Sequence, residues 1–146
     1  MEREFETKSG RVLHTVPVRW ELITNVLRRF RLPIAELMES PDKLRDLSES
    51  DQLEAMEAIS VLLNLFSGWG VTDNPDDGEM RELRALGFET TSDKVTRANW
   101  IRYIVMQDDE EVSALMGHIL ALSFAVAGGT EPLAGKGKAG VRDGSQ

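Results

Sequence analysis

The chain has 146 residues, a formal net charge of −8 and no cysteine. Disulfides, thiolate metal sites and thiol nucleophiles are excluded, and the length suits a single domain with one sizeable core. Hydrophobic content is 41%, no apolar run approaches the roughly 20 residues of a membrane span, MEREFETKSGR lacks a secretory apolar stretch, and the lack of cysteine makes a cytoplasmic setting the default expectation.

The negative charge is uneven. Residues 1–50 balance nine basic against nine acidic side chains, whereas residues 51–80 hold seven acids and no base. Residues 108–131 hold five acids and again no base. Such patches repel nucleic acid and favour either solubility or a basic partner surface.

Residues 3–16 alternate loosely around Lys8-Ser9-Gly10 and predict a short β-hairpin closed by Pro17. VRWELITNVLRRF then places Leu22, Ile23, Val26, Leu27 and Phe30 at helical spacing. Arg28, Arg29 and Arg31 crowd its end, where cations complement the helix dipole. IAELME and PDKLRDL are short helical segments, the second with proline at its first position. Ser48 or Ser50 caps the longest apolar stretch, about 51–66, with a stripe of Leu53, Met56, Ile59, Leu62, Leu63 and Phe66.

The connector FSGWGVTDNPDDGE invites reading as a calcium loop. Asp73, Asp77 and Gly78 fit its first, fifth and sixth places, but Pro75 stands where a ligand is needed and Arg84 where the bidentate Glu belongs. The remaining reading is a capped hinge. Gly68 and Gly70 end one helix, Asp76 or Asp77 starts EMRELRAL, and Gly87 stops it. Residues 94–106 suggest a helix, with a strand as alternative because IRYIV is β-branched and aromatic. Asp108 and Glu111 have the spacing of a reciprocal capping pair. The last helix, about 109–126, presents Val112, Leu115, Met116, Ile119, Leu122 and Phe124. The glycine-rich residues 127–146 read as a flexible tail.

The fold class is therefore mostly α: a small helical bundle (18–126) with an N-terminal β-hairpin arm (1–17). His14 and His118 have no nucleophile at a recognised spacing, and no glycine-rich phosphate loop follows a strand. No enzyme, cofactor, metal or nucleic-acid role is expected. Trp20, Trp69 and Trp100 flank polar residues, with Trp69 the foremost interface candidate.

Three segments carry a resemblance: ETKSGRVLHTVPV, LFSGWGVTDNPDDGEMRELRALG and NWIRYIVMQDDEEVSALMGHILALS. In this order they resemble the tail assembly chaperones of long, non-contractile-tailed phages. The resemblance implies a non-enzymatic protein that binds the tape measure protein and keeps it soluble until tail-tube subunits displace it. It also implies a longer frameshifted form, with which Gly135-Lys136-Gly137-Lys138 is compatible. The expected partner-binding residues are Trp69, Asp73, Asp76, Asp77, Trp100, Asp108, Asp109 and Phe124, and self-association is left open. Two other classes stay open: a virion structural protein (head–tail connector or decoration), and an acidic inhibitor of a nucleic-acid-binding effector such as an anti-CRISPR protein.

Overall fold

A computed structural model describes residues 3–128. The chain is mostly helical behind an N-terminal hairpin, as its periodicity implies. The elements are β1 (Glu4–Glu6), β2 (Val12–His14), α1 (Trp20–Arg28), α2 (Ile34–Glu39), α3 (Pro41–Arg45), α4 (Glu49–Trp69), α5 (Asp77–Ala85), α6 (Asp93–Trp100), a π-helical turn (Ile101–Val105) and α7 (Asp109–Gly128). The last helix runs on past Val126, and the expectation for the tail otherwise falls outside the described residues.

The hairpin is antiparallel, with Phe5 opposite Leu13, and turns through Gly10 at φ +90°. Its alternation is clean: Thr7, Leu13 and Thr15 are buried, while Glu4, Glu6, Val12 and His14 face outward. β2 also pairs on its other side with the connector. Val16 N–H donates to the Gly70 carbonyl at 2.9 Å, Thr72 N–H donates to that of His14 at 3.0 Å, and Thr15 bridges Val71. The acidic connector thus serves as a third edge beside the hairpin, which its sequence did not suggest.

α4 is the central helix, packed by α1, α2, α6 and α7. Ser48 caps it, accepting from Asp51 N–H. Two expectations need correction here. The helix does not end at Phe66 but passes through Gly68 to Trp69, with Gly70 as its C-cap. Its buried line is Ala55, Ala58, Leu62 and Phe66, while Leu53 and Met56 stand 65% and 58% exposed. Small side chains decide this, because they let neighbouring elements approach closely. A Cβ at Gly68 would lie 2.6 Å from the Lys94 carbonyl of α6, and one at Gly70 would lie 2.6 Å from Ile119 of α7.

Arg28 lies in the last turn of α1, as the dipole argument expects. Arg31 does something else: its guanidinium bridges Asp51 and Glu54, and its backbone N–H donates to Glu54 at 3.1 Å. It therefore ties the exit of α1 to the first turns of α4.

The short α5 is held at both ends. Asp76 and Glu79 form a complete capping box, with bonds of 2.8 and 3.0 Å. At the other end Gly87 adopts φ +93°. There Phe88 N–H reaches the Leu83 carbonyl and Gly87 N–H that of Arg84, a full Schellman motif. Ser92 caps α6, and the segment predicted as helix or strand is helix throughout. Its last turn widens, so that Met106 N–H donates to the Ile101 carbonyl at 2.9 Å.

α7 carries Val112, Leu115, Met116, Ile119 and Leu122 into the core. By length and composition alone, its stretch Asp109–Ala127, of mean hydropathy 1.3, is apolar enough to cross a membrane. Ser113, Gly117, His118 and Ser123 interrupt it, so it does not stand out as an apolar run in the sequence.

Candidate functional site

The three segments that carry the resemblance meet in space around the connector. Arg97 of α6 holds its beginning. This side chain is 9% exposed, and its guanidinium donates to the Gly68 carbonyl at 2.6 Å, the Asp73 carbonyl at 2.9 Å and the Asn74 side-chain oxygen at 2.9 Å. The Gly68 carbonyl belongs to the last turn of α4, where the helix dipole is negative and suits a cation.

Asp73 turns its carboxylate to the hairpin. It accepts from His14 N–H at 2.6 Å and lies 3.0 Å from His14 Nδ1. That hydrogen bond, with the charge of Asp73 and the more distant Glu4, raises the His14 pKa above the ordinary imidazole value. Further along, Arg11 pairs with Glu79 at 3.0 Å and stands over the Trp100 ring at 5.5 Å.

At the hairpin tip, Lys8 meets the start of α7. Its ammonium donates to Asp108 at 2.6 Å, which holds the lysine pKa above and the Asp108 pKa below their ordinary values. The expected reciprocal capping pair is half realised. Asp108 accepts from Glu111 N–H at 2.8 Å, but the Glu111 carboxylate is not spent on Asp108. It is buried at 4% exposure and accepts from the backbone N–H of Gln107 and of Lys8. Glu111 therefore fastens the hairpin rather than closing a capping box.

Seen from the expected partner-binding set, the residues divide. Asp73, Asp76 and Asp108 are engaged within the fold as hairpin clasp and helix caps. Asp77 and Asp109 open α5 and α7 and are exposed, where negative charge suits the dipole. Trp69 is 46% exposed, with the Lys94 ammonium 4.5 Å above its ring. Trp100 is corrected: at 2% exposure it is a core side chain, and its indole Nε1 has no hydrogen-bond partner among the described residues. It packs in the core because α6 buries Thr96, Arg97 and Trp100 on one side. Phe124 is half-buried and edge-on to Trp20, with centroids 5.6 Å apart.

Tyr103, on the π-helical turn, is half exposed where Trp100 is buried. It stacks on Phe88 at 4.9 Å, with the Arg102 guanidinium 5.3 Å from its ring. Arg97 and Glu111 were missed as structural hubs. The one available signal was a charge falling on the buried side of each helix pattern, at Arg97 beside Trp100 and Ile101, and at Glu111 beside Val112 and Leu115.

Among the described residues no three His, Asp or Glu side chains are grouped to hold a metal ion. His118 Nε2 lies 2.9 Å from Thr15 Oγ1, and Thr15 is 2% exposed. The arrangement fixes a hairpin, a connector and two helix starts in one relation and presents aromatic side chains beside it. Comparison with protein-family models, with curated proteins and with solved structures finds no match to this chain.

Proposed function

We propose that this chain is a non-enzymatic tail assembly chaperone of a long-tailed phage, acting in the host cytoplasm. It binds the tape measure protein, a long amphipathic helix, covers its apolar stripe and releases it to tail-tube subunits. The observation that carries this reading is the set of large apolar side chains left half exposed on and beyond the end of α4: Trp69, Leu86, Val95 and Tyr103. Scattered exposed leucines are ordinary, but exposed Trp and Tyr beside cations are the side chains that dominate protein interfaces. Lys94 and Arg102 flank the two aromatics, and the acids of the connector and α5 supply a polar rim. Exposed apolar side chains with charged neighbours suit recognition of an amphipathic helix. The resemblance in three ordered segments supports the same reading.

The test is co-expression with the tape measure protein of the same phage. The chaperone raises the soluble fraction of that protein and co-purifies with it, and mass spectrometry finds it missing from finished virions. Unchanged solubility without co-purification sinks the proposal. Recovery in purified virions instead points to a structural component.

A further inference from the structure

The outer edge of β1 is open. Thr7 N–H donates to the Arg11 carbonyl and Thr15 N–H to that of Arg3. In an antiparallel ladder bonded pairs alternate, so residues 3, 5 and 7 face β2. The N–H and carbonyl groups of Glu4 and Glu6 therefore point away from it. The same alternation sends those of His14 toward the connector, where both find partners. Glu4 and Glu6 have no such neighbour among the described residues. Beside this edge an open groove, lined mainly by apolar atoms, runs between β1 and the start of α7, with Phe5, Thr7 and Ala114 on its walls together with the charged Glu6, Lys8, Glu110 and Glu111.

The geometry points to a strand-addition site: an extended segment of a partner protein, with basic residues at alternate positions and apolar ones between, pairs with the free edge of β1. The charge pattern sets the alternation. Residues opposite Glu4 and Glu6 put their side chains on the same outward face as those glutamates, so cations there meet the exposed carboxylates of Glu6 and of Glu4, which also lies 3.7 Å from His14 Nε2, while Glu110, 90% exposed at its side chain and 3.7 Å from the Lys8 ammonium, lines the adjoining groove. The residue between them faces inward, toward Phe5 and Ala114, and is apolar. A second copy of this chain is a poor occupant, because edge-to-edge pairing would set Glu4 and Glu6 against their own kind. The site is separate from the Trp69 and Tyr103 surface, so it stands or falls independently of the chaperone reading.

The probe is the peptide acetyl-Thr-Lys-Val-Lys-Val-Lys-Thr-amide, added to the full chain, with amide exchange followed residue by residue by NMR. Exchange at Glu4 and Glu6 slows by about tenfold or more at saturation, while amides bonded to β2 are unchanged. Glu4→Lys with Glu6→Lys weakens the peptide by about tenfold with the helical circular dichroism intact. The same peptide N-methylated at its lysine amides keeps its charge but does not bind. Equal binding by the methylated peptide, or no slowing at Glu4 and Glu6, overturns the proposal. Slow exchange at those two amides before any peptide is added also overturns it, since the edge is then filled by the chain itself.

Discussion

The guanidinium of Arg97 donates to the Gly68 carbonyl across a 2.6 Å bond, so one buried cation joins α6 to the final turn of α4. The same group also holds both Asp73 and Asn74 of the connector. Arg97→Met, similar in bulk, leaves three acceptors without their donor and costs about 2–4 kcal/mol in urea unfolding. Arg97→Lys recovers only part of this, because an ammonium cannot span three acceptors laid out for a planar fork. A loss below about 1 kcal/mol for the Met variant would show that water replaces the arginine without penalty.

Glu111 makes a second hub with a different signature. Glu111→Ala frees the N–H groups of Gln107 and Lys8 together and lowers stability by about 2–3 kcal/mol. Because one of those donors lies in the hairpin tip, hydrogen exchange at Lys8 speeds up more than exchange in the middle of α4. Uniform acceleration across the chain would mean that the carboxylate stabilises the whole fold rather than the clasp.

The His14–Asp73 contact predicts a pH dependence whose sign follows from the raised imidazole pKa. A folded-state pKa above the unfolded value of about 6.5 gives stability that is fully present below that value and lost as pH rises through the folded pKa. Wild type therefore exceeds His14→Gln in melting temperature at mildly acidic pH, and the gap closes in alkaline buffer. Asp73→Asn, followed by NMR titration of His14, brings the imidazole pKa back down. A gap that widens with pH contradicts the assignment.

Two helical glycines differ in sign. Gly68→Ala forces a methyl into the Lys94 carbonyl at 2.6 Å and costs about 2–3 kcal/mol, because two backbones must separate. Gly117 of α7 has nothing within 4 Å of an added Cβ, and Gly117→Ala gains about 0.5–1 kcal/mol from helix propensity. Thermal unfolding of both variants checks the pair.

Trp69→Ala separates fold from function. The ring is half exposed, so stability changes by less than about 1 kcal/mol. Capture of the tape measure protein drops sharply if Trp69 is an interface anchor, and Tyr103→Ala behaves alike. Retention of full capture by the double variant places the interface elsewhere.

Much of the architecture was legible because helix ends carry chemical marks. Ser48, Asp76 with Glu79, Gly87 and Asp108 each fix a boundary through a hydrogen bond or a positive φ that few other residues provide. The facing of the helices was less legible. Periodicity ranked Leu53 and Met56 above Ala55 and Ala58, since it weighs hydrophobicity and cannot weigh how closely a neighbour approaches. The pairing of residues 70–72 with β2 and the roles of Arg97 and Glu111 depend on contacts distant in sequence, for which one chain offers no pattern. Trp69 is half exposed, as its place between two glycines suggested, whereas Trp100 is buried and Tyr103, three residues on, is exposed.

β2 lies between β1 and the connector, and the hairpin tip rests on Asp108 and Glu111, so a segment made early docks onto one made about a hundred residues later. Such non-local closure is slow compared with helix formation. The hairpin tip is thus sealed late, once Asp108 and Glu111 have been made, whereas β2 already has residues 70–72 to pair with before then.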